Sequence, residues 1–146
     1  MRVLGIDVGI KRTGLALSDE LGLSVRLLPN LQANSRMAAI TKIKSLIIDY
    51  SVKAVVIGMP EAKTEHSKAV ASRVLGLKTE LERLVAEQGH QVEVILWDES
   101  YSSKTAAIQL SHSGVKKSAR KAKLDGAAAA VLVEEFLSSQ ARAVSA

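Results

Sequence analysis

Apolar positions along the chain fall into two rhythms. Short aliphatic runs at 2–6, 14–18, 24–28, 53–58 and 92–96 are rich in Val, Ile and Leu and are bounded by Gly, Pro, Asn or charged residues. Runs of this length and punctuation predict β-strands. Between them the apolar residues recur every three or four positions. Met37, Ile40, Ile43, Ile47 and Ile48 predict one helix, capped by Asn34 or Ser35. Val70, Val74, Leu77, Leu81, Leu84 and Val85 predict a second, capped by Ser67 and closed by Gly89. Ser100 or Ser102 can cap a third, holding Ala106, Ala107, Ile108 and Leu110 and broken at Gly114, and Leu124 opens a last helix through Ala128, Val131, Leu132 and Phe136. Gly76 sits inside the second helix, where it costs roughly 1 kcal/mol of helix propensity with no reason visible in the sequence.

The order β-β-β-α-β-α-β-α-α joins an antiparallel meander to two right-handed crossovers, which predicts an α/β fold: a five-stranded mixed sheet with helices on both faces. The third strand carries Arg26 and stops at Pro29, which places it at the sheet edge. One domain is expected over 1–137, followed by a small, polar tail at 138–146 that frays. Residues 61–67 read as a patternless polar loop.

Composition narrows the chemistry. Hydrophobic residues make up 47% and charged residues 24%, the balance of a folded globular domain. Aromatics are only 3%, so the core is aliphatic and platforms for base stacking are scarce; Trp97 is read as packing. No cysteine is present, which excludes disulfides, thiol chemistry and zinc–cysteine sites. The chain opens directly into a strand pattern and has no run of transmembrane length, so a cytoplasmic protein with no membrane partner is expected. Lys and Arg number 20 against 15 Asp and Glu, and the resulting +5 charge points toward an anionic partner.

The first eighteen residues, MRVLGIDVGIKRTGLALS, concentrate the chemistry. Asp7 ends an apolar strand, Gly9 permits a tight turn, and Lys11 and Arg12 place two cations on that turn. A carboxylate beside a hydrophobic strand needs a partner. Asp7 either pairs with the turn or belongs to a metal site, and the second reading requires other acids at the same place. Ligands of open α/β sheets bind beyond the carboxyl ends of the strands. Asp98 and Glu99 follow the fifth strand, and Asp125 opens the last helix. If strand four lies beside strand one and strand five beyond it, Asp7, Glu99 and Asp125 share one rim. Clustered carboxylates need a cation, and an all-oxygen set suits Mg²⁺ or Mn²⁺. Two such ions about 4 Å apart would suit hydrolysis of a phosphodiester by water.

Plain roles stay open: Asp98 as a turn residue, Asp125 as an acid at a helix N-terminus, Ser18 and Asp19 as a turn, and His66, His90 and His112 as isolated surface residues. The run Lys116, Lys117, Arg120, Lys121 and Lys123 is either a solvated loop or a phosphate grip. The glycine-flanked acid also occurs in sugar kinases and related ATPases, but that fold needs a second domain for which 146 residues leave no room. No G-x-G-x-x-G opens a helix after the first strand, which excludes a dinucleotide-binding reading.

The stretch LGIDVGIKRTGLALSD, VVIGMP at 55–60, WDES at 97–100 with Ser102 and Ser103 after it, and KLDGAAAAVLVEEFL at 123–137 together resemble the YqgF/RuvX family. These are small proteins of ribonuclease H-like fold, described as Holliday junction resolvases and as nucleases that mature the 5′ end of pre-16S rRNA. The resemblance spans nearly the whole chain. It implies strand order 3-2-1-4-5, with Asp7, Glu99 and Asp125 as the catalytic, metal-binding acids. Lys11 and Arg12 match the family's basic turn, and Lys123 its basic approach to the last acid. Two positions depart from the family: Ser100 stands where Arg is usual, and EAKTEHSK follows Pro60 where a glycine-containing polar loop is usual. The expectation is a metal-dependent nuclease acting on structured RNA, precursor rRNA above all, with the ribosome as a further partner and a monomer or homodimer as the working form. Branched DNA is the alternative substrate, and a non-catalytic nucleic-acid or ribosome-associated binder the alternative class.

Overall fold

The computed structural model describes residues 1–32, 35–98 and 117–145, the last helix by its backbone alone at 117–125 and 142–145. Five strands form one sheet: β1 (Arg2–Val8), β2 (Thr13–Ser18), β3 (Val25–Leu31), β4 (Val52–Met59) and β5 (Glu93–Asp98), in the order β3-β2-β1-β4-β5. β1 runs antiparallel to β2 and parallel to β4, and β4 runs parallel to β5. Three helices are described: α1 (Arg36–Asp49), α2 (Glu65–Glu87) and α3 (Lys117–Ser145). The expected short helix at 106–110, its caps and the break at Gly114 lie outside the described residues.

Strand alternation divides the core in two. Leu4 and Ile6 of β1, Leu15 and Leu17 of β2, and Val55 and Ile57 of β4 pack with the buried stripes of α1 and α2. Val3, Ala16, Ala54 and Val56 pack on the opposite side with Ala129, Leu132, Val133 and Phe136 of α3.

Several boundaries differ from the sequence reading, each for a local reason. β3 continues through Pro29 to Leu31. Its pairing with β2 slips by one residue, Leu28 facing Leu15 and Leu31 facing Thr13, and this bulge on an edge strand tolerates a residue with no N–H. In α1 the buried stripe is Ile40, Ile43, Leu46 and Ile47, while Met37 and Ile48 are exposed. Five residues separate Ile43 from Ile48, which turns the latter to the outer face. Ser35 caps this helix, its hydroxyl accepting from Ala38 N–H at 3.1 Å.

The N-cap of α2 is Thr64, not Ser67. Thr64 Oγ1 accepts from Ser67 N–H at 3.0 Å, and Ser67 Oγ accepts from Thr64 N–H at 2.9 Å, a reciprocal capping box that draws part of the expected polar loop into the helix. At the other end Gly89 adopts φ +69°, with Gly89 N–H donating to Ala86 and His90 N–H to Val85, as a Schellman closure requires.

β5 extends through Trp97 and Asp98, two residues past its expected end. The last helix begins at Lys117 rather than Leu124, so most of the expected basic loop is helical, and it runs on to Ser145 through the residues expected to form a tail. Gly76 now has an explanation: a Cβ there would lie 2.6 Å from the guanidinium carbon of Arg36, which crosses from α1 onto α2 at this point.

Candidate active site

Asp7 occupies the penultimate position of β1 and is only 9% exposed. Its neighbours fix which way it faces. A Cβ on Gly5 would sit 2.5 Å from both the Ala129 carbonyl oxygen and Val133 Cγ2, so Gly5 meets α3 backbone-on. Two residues further on, Asp7 shares that face by strand alternation. Ile6 and Val8 face the α1–α2 side.

The register levels the strand ends. Ile6 pairs with Ile57 and Gly58 with Trp97, so Asp7, Gly58 and Trp97 fall in one row across β1, β4 and β5. Neighbouring strands lie ~4.8 Å apart, which puts β5 on the order of 10 Å from β1. Glu99 is the second residue after Trp97 in the chain, and it lies outside the described residues, as do Ser100 and Lys116.

α3 supplies the third position. Leu137 lies against Gly22 in the β2–β3 turn, at the end of the sheet away from the β1–β2 turn. The chain of α3 therefore travels away from the rim that Asp7 occupies, and stepping back from Ala129 leads toward it. Asp125 stands four residues before Ala129, a rise of about 6 Å, while Asp7 stands two residues beyond Gly5, a rise of about 6.6 Å. The backbone thus carries Asp125 toward the level of Asp7. Asp125 falls in the third turn of α3, not at its start, so the role of an N-terminal acid does not apply. Lys117, Arg120, Lys121 and Lys123 occupy the first two turns of the same helix.

The turn between β1 and β2 is held tightly. Gly9 N–H donates to Arg12 O at 2.9 Å, and a Cβ on Gly9 would meet that same oxygen at 2.4 Å. Lys11 and Arg12 stand on this turn as expected. Arg73 of α2, which sequence reasoning missed, donates from Nη1 to the Ile10 carbonyl at 2.7 Å and ties the turn to the helix layer. Its only sequence signal was a cation placed near the stripe of an amphipathic helix. Trp97 packs, edge-on to Phe136 at 6.0 Å and 87°, and donates from Nε1 to Glu135 Oε2 at 2.8 Å.

The donor chemistry fits a hard divalent ion. Asp7, Glu99 and Asp125 offer oxygen alone, and His66 and His90 are exposed on other elements. Among the described residues no group of three His, Asp or Glu side chains is close enough to hold a metal, and the described side chains include only Asp7 of the three acids.

The architecture is a ribonuclease H-like fold. Thermus thermophilus RuvC in complex with Holliday junction substrate superposes with a TM-score of 0.60 at 20% identity, covering 97% of this chain and 96% of that one. The fowlpox virus Holliday junction resolvase gives 0.55 at 16% identity, covering 95% and 99%. The family RuvX, described as Holliday junction resolvase, matches residues 1–139, and the chain belongs to it. Relatives named "Putative pre-16S rRNA nuclease" include one from Acetivibrio thermocellus, 34% identical over 97% of this chain and 99% of its own, and one from Listeria monocytogenes, 31% identical over 94% and 97%. The chain is a nucleic-acid hydrolase of this nuclease family. Among the described residues no helix is long and apolar enough to cross a membrane.

Proposed function

We propose that the protein is a divalent-metal-dependent nuclease that trims the 5′ end of precursor 16S rRNA in the cytoplasm. The observation that carries this reading is the nearly buried Asp7 carboxylate at the strand rim, on the face along which α3 leads back to Asp125. The names of its relatives favour the RNA substrate.

In this reading Asp7, Glu99 and Asp125 hold Mg²⁺ or Mn²⁺. The ion supplies charge neutralisation at the phosphate and a lowered pKa for an attacking water. The chain's own residues bind and orient. Lys11 and Arg12 meet backbone phosphates at the turn, Lys117, Arg120, Lys121 and Lys123 extend that contact along the start of α3, and Lys116, the residue before it in the chain, adds to the same basic run. Such contacts position a strand without reading its sequence. A single cut near an RNA end needs one active site, so a monomer suffices; docking on the ribosome would supply the selectivity that phosphate contacts lack.

Resolution of four-way DNA junctions is the second reading, favoured by the family's description, and it calls for a two-fold homodimer. The test compares the wild-type chain with Asp7→Asn, with Mg²⁺ or Mn²⁺, on labelled precursor rRNA and on a four-way DNA junction. Cleavage of the RNA alone, reduced to background in the variant while binding persists, is expected. Cleavage confined to the junction would transfer the assignment to DNA. Binding without divalent ions and no cleavage of either substrate would leave a non-catalytic binder.

A further inference from the structure

On the far side of the β1–β2 turn from α3 lies a cavity of about 370 Å³, within the range of small-ligand sites. Its floor includes Ile43 of α1 and Leu77 of α2. Its charged lining is basic: Lys11 and Arg12 from the turn, Arg36 at the first position of α1, and Arg73 from α2. No acidic residue is among the described lining residues. Two of these cations, both solvent-exposed, have defined neighbours. Arg73 is anchored on the Ile10 carbonyl, and Arg36 lies in the space that Gly76 leaves open. Arg36 and Arg73 come from two separate helices to one apolar hollow, where a single anion can meet both.

We propose that this cavity is a phosphate-binding site, distinct from the carboxylate rim and on the opposite side of the turn that carries Lys11 and Arg12. It takes a phosphate group with its attached sugar, the phosphate against Arg36 and Arg73 and the sugar over the apolar floor. Arginine suits this role because its planar fork meets phosphate oxygens in pairs. The phosphate belongs either to the nucleic-acid backbone, away from the bond being cut, or to a free phosphate or nucleotide. The first source rests on the nuclease reading; the second does not.

The experiment is titration of the full chain, in the Asp7→Asn background, with inorganic phosphate and separately with single-stranded RNA. The readouts are the amide signals of 9–13 and the arginine side-chain signals. Phosphate is expected to shift both sets, and RNA to displace it. Arg36→Gln should weaken RNA binding several-fold and lower the slope of log K against log salt by about 0.7. Arg36→Lys, which keeps the charge but not the fork, should retain that slope. Phosphate shifts that RNA leaves undisturbed would keep the site and assign it to a free phosphate. Absence of shifts with either ligand, or an unchanged salt slope in a folded Arg36→Gln, would overturn the proposal. Loss of cleavage in Asp7→Asn is read separately, so each failure is distinguishable from the other.

Discussion

The two faces of the central sheet are packed by different means. Toward α1 and α2 the strands present Leu4, Ile6, Leu15, Leu17, Val55 and Ile57, and bulky side chains hold helix and sheet apart. Toward α3 they present Gly5, Ala16 and Ala54 between Val3 and Val56, and at Gly5 backbone approaches backbone. A layer of long aliphatic side chains can shift rotamers to absorb a change. A carbonyl resting on a glycine has nothing to rearrange. The rigid contact lies on the side where Asp7 and α3 face each other, so the small-residue face sets the position of the proposed site while the large-residue face supplies most of the burial.

Substitutions on the two faces should therefore separate stability from catalysis. Leu81→Ala, at a fully buried position of α2, should cost about 2–5 kcal/mol in chemical denaturation yet leave cleavage per folded molecule unchanged. A proportionate loss of cleavage would break the contrast. Gly5→Ala forces a Cβ onto Ala129 O, and should cost about 1–3 kcal/mol while lowering cleavage far more than the folded fraction accounts for. Cleavage that merely tracks folding would show that α3 can slide without consequence.

Gly76→Ala sharpens the contrast from the other side. Its Cβ would meet only the far end of a flexible arginine, so Arg36 swings away and the helix gains up to about 1 kcal/mol. Thermal stability should rise while phosphate affinity falls. The smallest effect concerns the β2–β3 turn beside α3. Asp19 Oδ1 accepts from Leu23 N–H at 2.7 Å and Ser24 N–H at 3.0 Å, and the bond from Ser24 is the largest cause holding its carboxyl below the ordinary value of 3.8. A lowered folded pKa stabilises above 3.8, and that contribution fades as pH falls through the folded value. Asp19→Asn should lower stability slightly at neutral pH, change it little below the folded value, and so flatten the acid limb of stability against pH.

Much of this was legible in the chain. Aliphatic runs gave five strands, and their punctuation gave the meander and both crossovers. Pattern reading is weaker where a residue acts by being small. Gly5 looked like one more position in an apolar run, and Gly76 looked like a defect, because the neighbours that need their space are distant in sequence. Pro29 was read as a stop because the bulge that accommodates it belongs to the pairing of two strands. The basic stretch before Leu124 was read as loop from its charge, although Lys, Arg and Ala are good helix formers. Arg36 and Arg73 escaped notice because each is an ordinary helix cation until the fold brings both to the same turn. Asp7 stood out from its local context alone, whereas the roles of Glu99 and Asp125 rest on the family resemblance and the proposed rim.

The chain has one tryptophan, and it sits where β5 meets α3, in edge contact with Phe136 and hydrogen-bonded to Glu135. The molecule thus carries a single indole fluorophore at the seam between its last strand and its last helix. Emission from that one indole tracks the seating of α3 with no label attached and no second indole to blur the signal.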